Sequence, residues 1–313
     1  MSENHVLILS PMPRELTSQL EAAYTAHKHY AAEDKAAFMA PIADKIEGIA
    51  VTGGFPVPNE LLASMPNLKI IAIRGVGYDS VDIEYAKQRG IRVTNTPDVL
   101  NDEVADTAIL LMLAAFRQLP ASERYLREGR WLDGPFPLTR KFSGTRLGLV
   151  GMGRIGRVIA KRAEAFDCEI AYHSRNQRND VDYPYYADLC ELARNVDTLC
   201  VITPGGAETK HLINKDVLEA LGPNGVLVNV ARGSVVDEPA LIDALESGAI
   251  AGAGLDVFED EPNVPDRLVA LDHVVLAPHV GSATHETRLA MGNLVADNLA
   301  AFFAGQELLT PVV

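Results

Sequence analysis

Short runs of apolar, β-branched residues alternate with longer segments of helical period along nearly the whole chain. Residues 5–10 predict a strand, and 14–24 a helix. A strand over 48–52, a helix over 59–65, a strand over 68–73, a helix over 81–89 and a strand over 91–95 complete a first series. A second series opens with a strand over 147–150, a helix over 154–166 and a strand over 169–173. It continues through strands at 198–202, 226–230, 252–257 and 273–276, with helical segments between most of them. Strands separated by helix-length connections can pair in parallel, and a parallel sheet needs helices on both faces. Between the series lie a strongly apolar helix, 103–116, and an irregular stretch, 131–142, holding Gly134, Pro135 and Pro137. The chain closes with a helix from 284 to about 304. The expected architecture is α/β, with two doubly wound parallel-sheet domains.

Composition fits that picture. At 313 residues the chain exceeds one ordinary core, and 48% apolar with 22% charged residues is a globular balance. The formal charge is −14, from 28 Lys and Arg against 42 Asp and Glu. Such a surface repels phosphate backbones and anionic lipid, so nucleic acid and membranes are not expected partners. Small anions stay open, because a few Arg side chains can make a local positive pocket. Cys168, Cys190 and Cys200 form no CxxC pair and have no His at metal-ligand spacing. They read as reduced core residues, and no metal site is expected. No cationic region precedes the apolar run at residues 6–9. The longest apolar stretch, 108–116, is far short of the roughly 20 residues of a spanning helix. A cytoplasmic protein is expected.

The sharpest local signal is Gly151-Met152-Gly153-Arg154-Ile155-Gly156, a GxGxxG run that follows one predicted strand and opens a helix. Gly151 allows the tight turn, Gly153 lets backbone approach a pyrophosphate, and Gly156 lets helix and strand pack closely. The helix N-terminus then offers unpaired N–H groups and a positive dipole end to the phosphates. About 20 residues on, NAD sites usually carry an acid for the ribose hydroxyls. Here the segment reads Tyr172-His173-Ser174-Arg175-Asn176-Gln177-Arg178, with no acid before Asp180. Ser174 and Arg175 suit a 2′-phosphate, with Arg178 as a second candidate. NADP(H) is therefore favoured, with NAD(H) the alternative.

Three further residues stand at the carboxyl ends of predicted strands, where ligands of open parallel sheets bind. They are Arg232 after 226–230, Glu261 in Asp256-Val257-Phe258-Glu259-Asp260-Glu261-Pro262, and His279 in Ala277-Pro278-His279-Val280-Gly281. Arg suits a 2-keto acid, because its planar fork holds carboxylate and carbonyl oxygens together. His suits proton delivery near neutral pH, and a carboxylate on its far nitrogen fixes the tautomer. Taken singly, these three are also compatible with a surface cation, a loop acid and a capped histidine.

Together with Arg74-Gly75-Val76-Gly77-Tyr78-Asp79, Asn229-Val230-Ala231-Arg232-Gly233, Leu255-Asp256-Val257-Phe258 and the run from Pro278 to Thr284, these motifs give the chain its resemblance. It resembles the D-isomer-specific 2-hydroxyacid dehydrogenases, most of all their NADPH-dependent glyoxylate/hydroxypyruvate reductases. The resemblance implies two Rossmann-like domains with an active-site cleft between them. Residues 1–98 and 286–313 would form the substrate domain, and 99–285 the dinucleotide domain. It further implies Arg232 holding the substrate's carboxylate and carbonyl, His279 as general acid and Glu261 supporting it. The amides of Val76 and Gly77 would bind the carboxylate. The cofactor would be held by Gly151, Gly153, Arg154, Ile155, Gly156, Ser174, Arg175, Thr203, Pro204, Ala231, Asp256 and Gly281. Asp256 would face the nicotinamide carboxamide, and Thr203 with Pro204 the adenosine half. A homodimer through the cofactor domain is implied as well. Trp131 would either help close a neighbouring subunit's site or act as a buried anchor.

Ile202 and His173 depart from the family's frequent His or Asn before Thr-Pro and its acid after the second strand. Both departures weaken the case for NAD. The C-terminal regulatory domain of many phosphoglycerate dehydrogenases is not expected here, which makes that activity less expected. The expected reaction is NADPH-dependent reduction of a small 2-keto acid to the D-2-hydroxy acid. Alternatives are another activity of the family, on a sugar-derived or phosphorylated keto acid, and a non-catalytic nucleotide-sensing module like the related corepressors.

Overall fold

The computed structural model describes residues 4–313, so the first three positions of the expected substrate domain lie outside the described residues. The chain divides into two compact units. One combines the residues up to Leu100 with Thr284–Val313, and the other runs Asn101–Ala283. These divisions fall two residues from those read in the sequence.

The first unit begins with β1 (His5–Ile8), α1 (Arg14–Ala23), β2 (Thr25–Lys28) and α2 (Lys35–Met39). It continues with β3 (Ile46–Thr52), α3 (Asn59–Ala63), β4 (Ile70–Arg74), α4 (Ile83–Gln88) and β5 (Arg92–Thr94). All five strands pair in parallel in the order β2-β1-β3-β4-β5. Successive strand residues point to opposite faces. Leu7, Ile49, Val51, Ile71 and Ile73 therefore enter one core with Leu62 and Ala86, while Val6, Ile8, Ala50, Ile70 and Ala72 enter another. Burial on both faces explains why these strands read as continuous apolar runs. The sequence pattern missed β2, an edge strand whose Thr-Ala-His-Lys residues are half-buried or exposed and carry no apolar alternation. It also missed α2, a short helix capped by Asp34.

The second unit opens with α5 (Asn101–Arg117) and α6 (Leu119–Arg127). Then follow β6 (Arg146–Val150), α7 (Arg154–Glu164), β7 (Glu169–His173), α8 (Leu189–Arg194), β8 (Thr198–Val201) and α9 (Lys215–Leu221). The unit closes with β9 (Val226–Asn229), α10 (Glu238–Glu246), β10 (Gly252–Leu255), α11 (Asp266–Val269) and β11 (Val274–Leu276). Its sheet is fully parallel, in the order β11-β10-β9-β8-β6-β7. A parallel bridge between Tyr172 and Tyr185 marks where a further strand would lie beyond β7. The connections leave β6 toward β7 on one side and return to β8 on the other, so the order reverses at the β6–β8 seam. Ligands of such sheets bind beyond the carboxyl ends of the strands at that seam. α6 was not expected. Gln118, in the left-handed region at φ 48°, turns the chain out of α5 before α6 begins with a proline in its first turn.

Trp131 is 67% exposed, which overturns the reading of this residue as a buried anchor within the chain. The last helix, α12 (His285–Phe303), returns to the first unit, where Val295 and Leu299 pack with Leu16, Leu20, Ala50 and Ala72. Among the described residues no single helix is long and apolar enough to cross a membrane.

Candidate active site

The glycine run occupies the seam. Gly151 follows β6 at φ 115°, a left-handed value, and a side chain there would sit 2.9 Å from the Ile202 carbonyl. A Cβ on Gly156 would lie 2.2 Å from the Gly151 oxygen, so only glycine lets α7 start this close to the turn. Gly153 is the opposite case, with nothing within 4 Å of its Cβ position and no side chain capping α7. The first turn of α7, with Arg154 and Ile155, carries no acid. An open backbone cradle at an uncapped helix N-terminus fits a diphosphate, whose oxygens would take the unpaired N–H groups. Thr203 and Pro204 follow β8, with the Thr203 amide beside the Gly151 turn.

Beyond β7, the Ser174 hydroxyl donates to the Asn176 carbonyl at 2.7 Å, and Arg175 pairs with Glu208 in an ion pair exposed at both ends. The Arg178 amide donates to the Tyr172 hydroxyl at 2.8 Å. Asp180 is held by Arg157 of α7 at 2.7 Å, and that bond keeps its carboxyl below the usual aspartate range. The first acid after β7 is therefore already engaged, while a hydroxyl and two cations follow the strand end. This donor set fits a 2′-phosphate better than a bare ribose. Glu208 was not singled out in the sequence, because only the folding of the 204–210 loop brings it to Arg175.

The three reactive candidates lie in the same unit. Arg232 leads the 3₁₀ turn Gly233–Val235 after β9. Asn229, 1% exposed, braces that turn by donating to the Arg232 carbonyl at 2.9 Å and accepting from the Ala231 amide at 3.0 Å. Its sequence signal was a lone Asn inside an apolar strand. A Cβ on Gly233 would lie 1.9 Å from the Phe258 carbonyl carbon and oxygen, so this turn and the 258–261 segment are in backbone contact. Glu261 accepts from the Phe258 amide at 3.1 Å with one oxygen and meets His279 Nδ1 at 2.7 Å with the other. Burial pushes its carboxyl upward, but the His279 ring, the Phe258 N–H and the charge of Arg232 outweigh it. The net result is a carboxyl below the ordinary glutamate range. An ionised carboxylate only accepts, so Nδ1 carries a proton toward Glu261 and Nε2 is left for chemistry.

His279 has a φ of 52°, rare for a residue with a side chain. Its amide donates to the Asp256 carbonyl at 2.9 Å. The Asp256 side chain, 2% exposed, accepts from the Val280 amide at 2.7 Å and the Gly281 amide at 2.8 Å. A Cβ on Gly281 would come within 2.9 Å of that carboxylate. Burial raises the Asp256 carboxyl above its usual range, the two amides and His279 opposing and Glu261 adding to the rise. Asp256 thus clamps the strained turn that aims His279.

In the first unit, Asn95 donates to the Val76 carbonyl at 2.8 Å and fixes the Gly75–Gly77 turn. The Val76 and Gly77 amides have no acceptor among the described residues. No group of three or more metal-ligating side chains occurs among the described residues. Cys168 and Cys200 are buried, and burial pushes the Cys200 thiol to about 12. Cys190 is only partly buried, not a full core residue.

Comparison with known proteins shows which family the chain resembles. Residues 109–281 match the model of the D-isomer specific 2-hydroxyacid dehydrogenase NAD binding domain. The chain is 47% identical to the hydroxyphenylpyruvate reductase of Plectranthus scutellarioides, covering 98% of each. It is likewise 47% identical to a glyoxylate/hydroxypyruvate reductase of Arabidopsis thaliana, again over 98% of each. An NADPH-dependent glyoxylate/hydroxypyruvate reductase of Sinorhizobium meliloti, solved with NADP and malonate, superposes with a TM-score of 0.95 at 49% identity. That match covers 100% of this chain and 97% of the other.

Proposed function

Since the chain belongs to the D-isomer specific 2-hydroxyacid dehydrogenase family, we propose that it reduces a small 2-keto acid to the D-2-hydroxy acid with NADPH. Glyoxylate and hydroxypyruvate are the preferred substrates. The observation that carries this reading is the 2.7 Å contact between His279 Nδ1 and Glu261, one strand end away from Arg232. The relatives support it: one is named for glyoxylate and hydroxypyruvate, and the S. meliloti enzyme was solved with NADP and a small dicarboxylate.

NADPH would be held by Gly151, Gly153, Arg154, Ile155 and Gly156 at its diphosphate. Ser174 and Arg175 would hold the 2′-phosphate, and Thr203, Pro204, Ala231, Asp256 and Gly281 would lie along the rest. When bound it supplies the hydride. Arg232 forks onto the substrate's carboxylate and carbonyl oxygens and polarises the carbonyl, and the Val76 and Gly77 amides take the carboxylate. As charge develops on the carbonyl oxygen, the Nε2 proton of His279 neutralises it. Glu261 orients the ring throughout. NADH is the alternative donor, disfavoured because no acid at the end of β7 is placed for an unphosphorylated ribose.

We also propose a homodimer through the cofactor-binding unit. Leu110, Leu119, Leu126, Trp131, Leu132 and Leu138 are large hydrophobic side chains left exposed within one stretch of that unit. Trp131 would then contact the neighbouring subunit. Three unpaired cysteines support a reducing, cytoplasmic setting.

The test is absorbance at the reduced nicotinamide band, with NADPH and NADH each offered glyoxylate, hydroxypyruvate and pyruvate. Rapid NADPH oxidation by the first two is expected. His279→Ala and Arg232→Ala should each abolish most turnover while NADPH still binds, and normal rates in either would sink the assignment. Silence with every keto acid and both cofactors, with NADPH still bound, would favour the nucleotide-sensing module.

A further inference from the structure

At the carboxyl end of β4, immediately before the Gly75–Gly77 turn, stands an arginine that the mechanism above does not use. By strand alternation Arg74 follows Ile70 and Ala72 on the face covered by α1 and α12. It is only 7% exposed. Its sole side-chain partner is a neutral hydroxyl, Nη2 donating to Thr52 Oγ1 at 3.2 Å, and its buried Nε has none. Among the described residues no acid pairs with it. The half-buried Arg162 is treated differently, with both Asp102 and Asp106. Arg288, on the first turn of α12, is a like charge that acts on it. Burial first, and that repulsion second, pull the Arg74 guanidinium down to about 10.

The surroundings continue the theme. Register pairs Thr52 with Arg74 across β3 and β4. Ser10, 1% exposed, donates to Thr52 Oγ1 at 3.0 Å and accepts from the Thr52 amide at 2.8 Å. Thr52 Oγ1 is committed in turn to the Pro11 carbonyl at 3.3 Å. On the other side, Thr96 donates its amide to the Gly75 carbonyl, while its fully buried hydroxyl is unpartnered. Ser10, Thr52, Arg74 and Thr96 therefore line the carboxyl ends of four adjacent strands. This row contains donors, a net positive charge and no anion. A buried guanidinium without a counter-charge is strongly unfavourable unless something else supplies one.

We propose that Arg74, with Arg288 as the neighbouring cation, is an oxyanion subsite of the first unit that receives a distal carboxylate or phosphoryl group of the keto acid. This rests on the reductase reading above and extends its substrate class, beyond glyoxylate and hydroxypyruvate, to 2-keto acids bearing a second anionic group. The adjacent Val76 and Gly77 amides take the first carboxylate, and Arg74, two residues before Val76, takes the second. A planar guanidinium with a free Nε edge matches two oxygens of such a group. The anion supplies the counter-charge that the fold withholds.

The deciding experiment compares kcat/KM for oxaloacetate and pyruvate, which differ by one distal carboxylate, in wild type, Arg74→Met and Arg74→Lys. Wild type should prefer oxaloacetate. In Arg74→Met the preference should fall by about 10- to 100-fold, the range for losing a hydrogen-bonded charge partner, mainly through KM. Arg74→Lys should keep part of it. Equal kcat/KM for the two acids in wild type, or an equal fall for both in Arg74→Met, would overturn the proposal. Should Arg74→Met not fold, Arg288→Met replaces it, with a smaller loss of preference expected and an unchanged preference counting against. A second arm measures thermal stabilisation by succinate, by acetate and by orthophosphate at matched ionic strength. Succinate should stabilise wild type more than acetate does, and Arg74→Met should erase the difference. If no keto acid is reduced at all, the reductase reading has failed, and this second arm alone judges the subsite. Stabilisation by orthophosphate without any oxaloacetate preference would mean a site for a free ion, which refutes a substrate role.

Discussion

Gly233 offers the most direct test of how the site is held together. Its φ is not in the left-handed region, so alanine meets no backbone conflict there. The conflict is spatial: the new Cβ would sit 1.9 Å from the Phe258 carbonyl and 2.4 Å from the Glu259 amide. Backbone cannot swing aside as a side chain can. To regain an ordinary 3.4 Å contact, the Arg232 turn and the 258–261 segment must separate by about 1.5 Å. One of these carries Arg232 and the other carries Glu261 with its bond to His279. A misplacement of about 1 Å in a reacting group costs on the order of 100-fold in rate. Overpacking of this kind costs roughly 1–3 kcal/mol. For a unit of this size that corresponds to a fall in Tm of roughly 2–12 °C. Gly233→Ala should therefore lose about two orders of magnitude in kcat/KM for the keto acid while the NADPH Kd changes little. Steady-state NADPH oxidation, fluorescence titration and a melting curve measure the three quantities. Gly134→Ala, where nothing lies within 4 Å of the new methyl, is the control. A Gly233→Ala protein with kcat/KM within threefold of wild type and an unchanged Tm would refute the claim that backbone contact spaces Arg232 from Glu261.

Other expectations follow from the same geometry. Glu261 has a depressed carboxyl, so its ionised form favours the fold. That contribution is present above the ordinary glutamate value of about 4.3 and is lost as pH falls through the lower folded value. Wild type should exceed Glu261→Gln in urea midpoint at pH 7, and the gap should close toward pH 3; a gap independent of pH would contradict the assignment. Arg175→Ala should raise KM for NADPH about tenfold and leave NADH nearly untouched. Glu208→Gln, which releases Arg175, should lower KM for NADPH, and no change in either variant would remove Arg175 from the 2′-phosphate site. Maleimide labelling of native protein, read by mass spectrometry, should modify Cys190 first, because Cys168 and Cys200 are buried and burial raises their thiols.

What the sequence disclosed depended on how local each determinant was. The glycine run was legible because the close approaches at Gly151 and Gly156 admit no other residue, and that requirement is written in the letters themselves. Strands β3, β4, β8 and β9 were legible because burial on both faces leaves uninterrupted apolar runs. β2 was not, since an exposed edge strand needs no such pattern. Arg232, Glu261 and His279 could be nominated by their places after strands, but the 2.7 Å bond between two of them depends on how the 258–262 loop folds. Asn229, Glu208 and Arg74 act through partners 2 to 33 residues away in sequence, reached only through turns or strand register. Single-sequence periodicity carries no information about such pairings.

The return of α12 to the first unit also bears on how the molecule is made. The core beneath β1, β3 and β4 requires Val295 and Leu299, and the Val312 amide closes onto the Val93 carbonyl at 2.7 Å. A nascent chain translated through Ala283 already contains every residue of the second unit, whereas the first still lacks one covering layer. The contiguous unit is thus free to fold during synthesis, and the split one has to wait for residues 284–313. Until then the apolar face of the earliest-made sheet stays open to solvent and to chaperones. A chain cut before Thr284 would lose a layer of the unit whose strands precede Asn101.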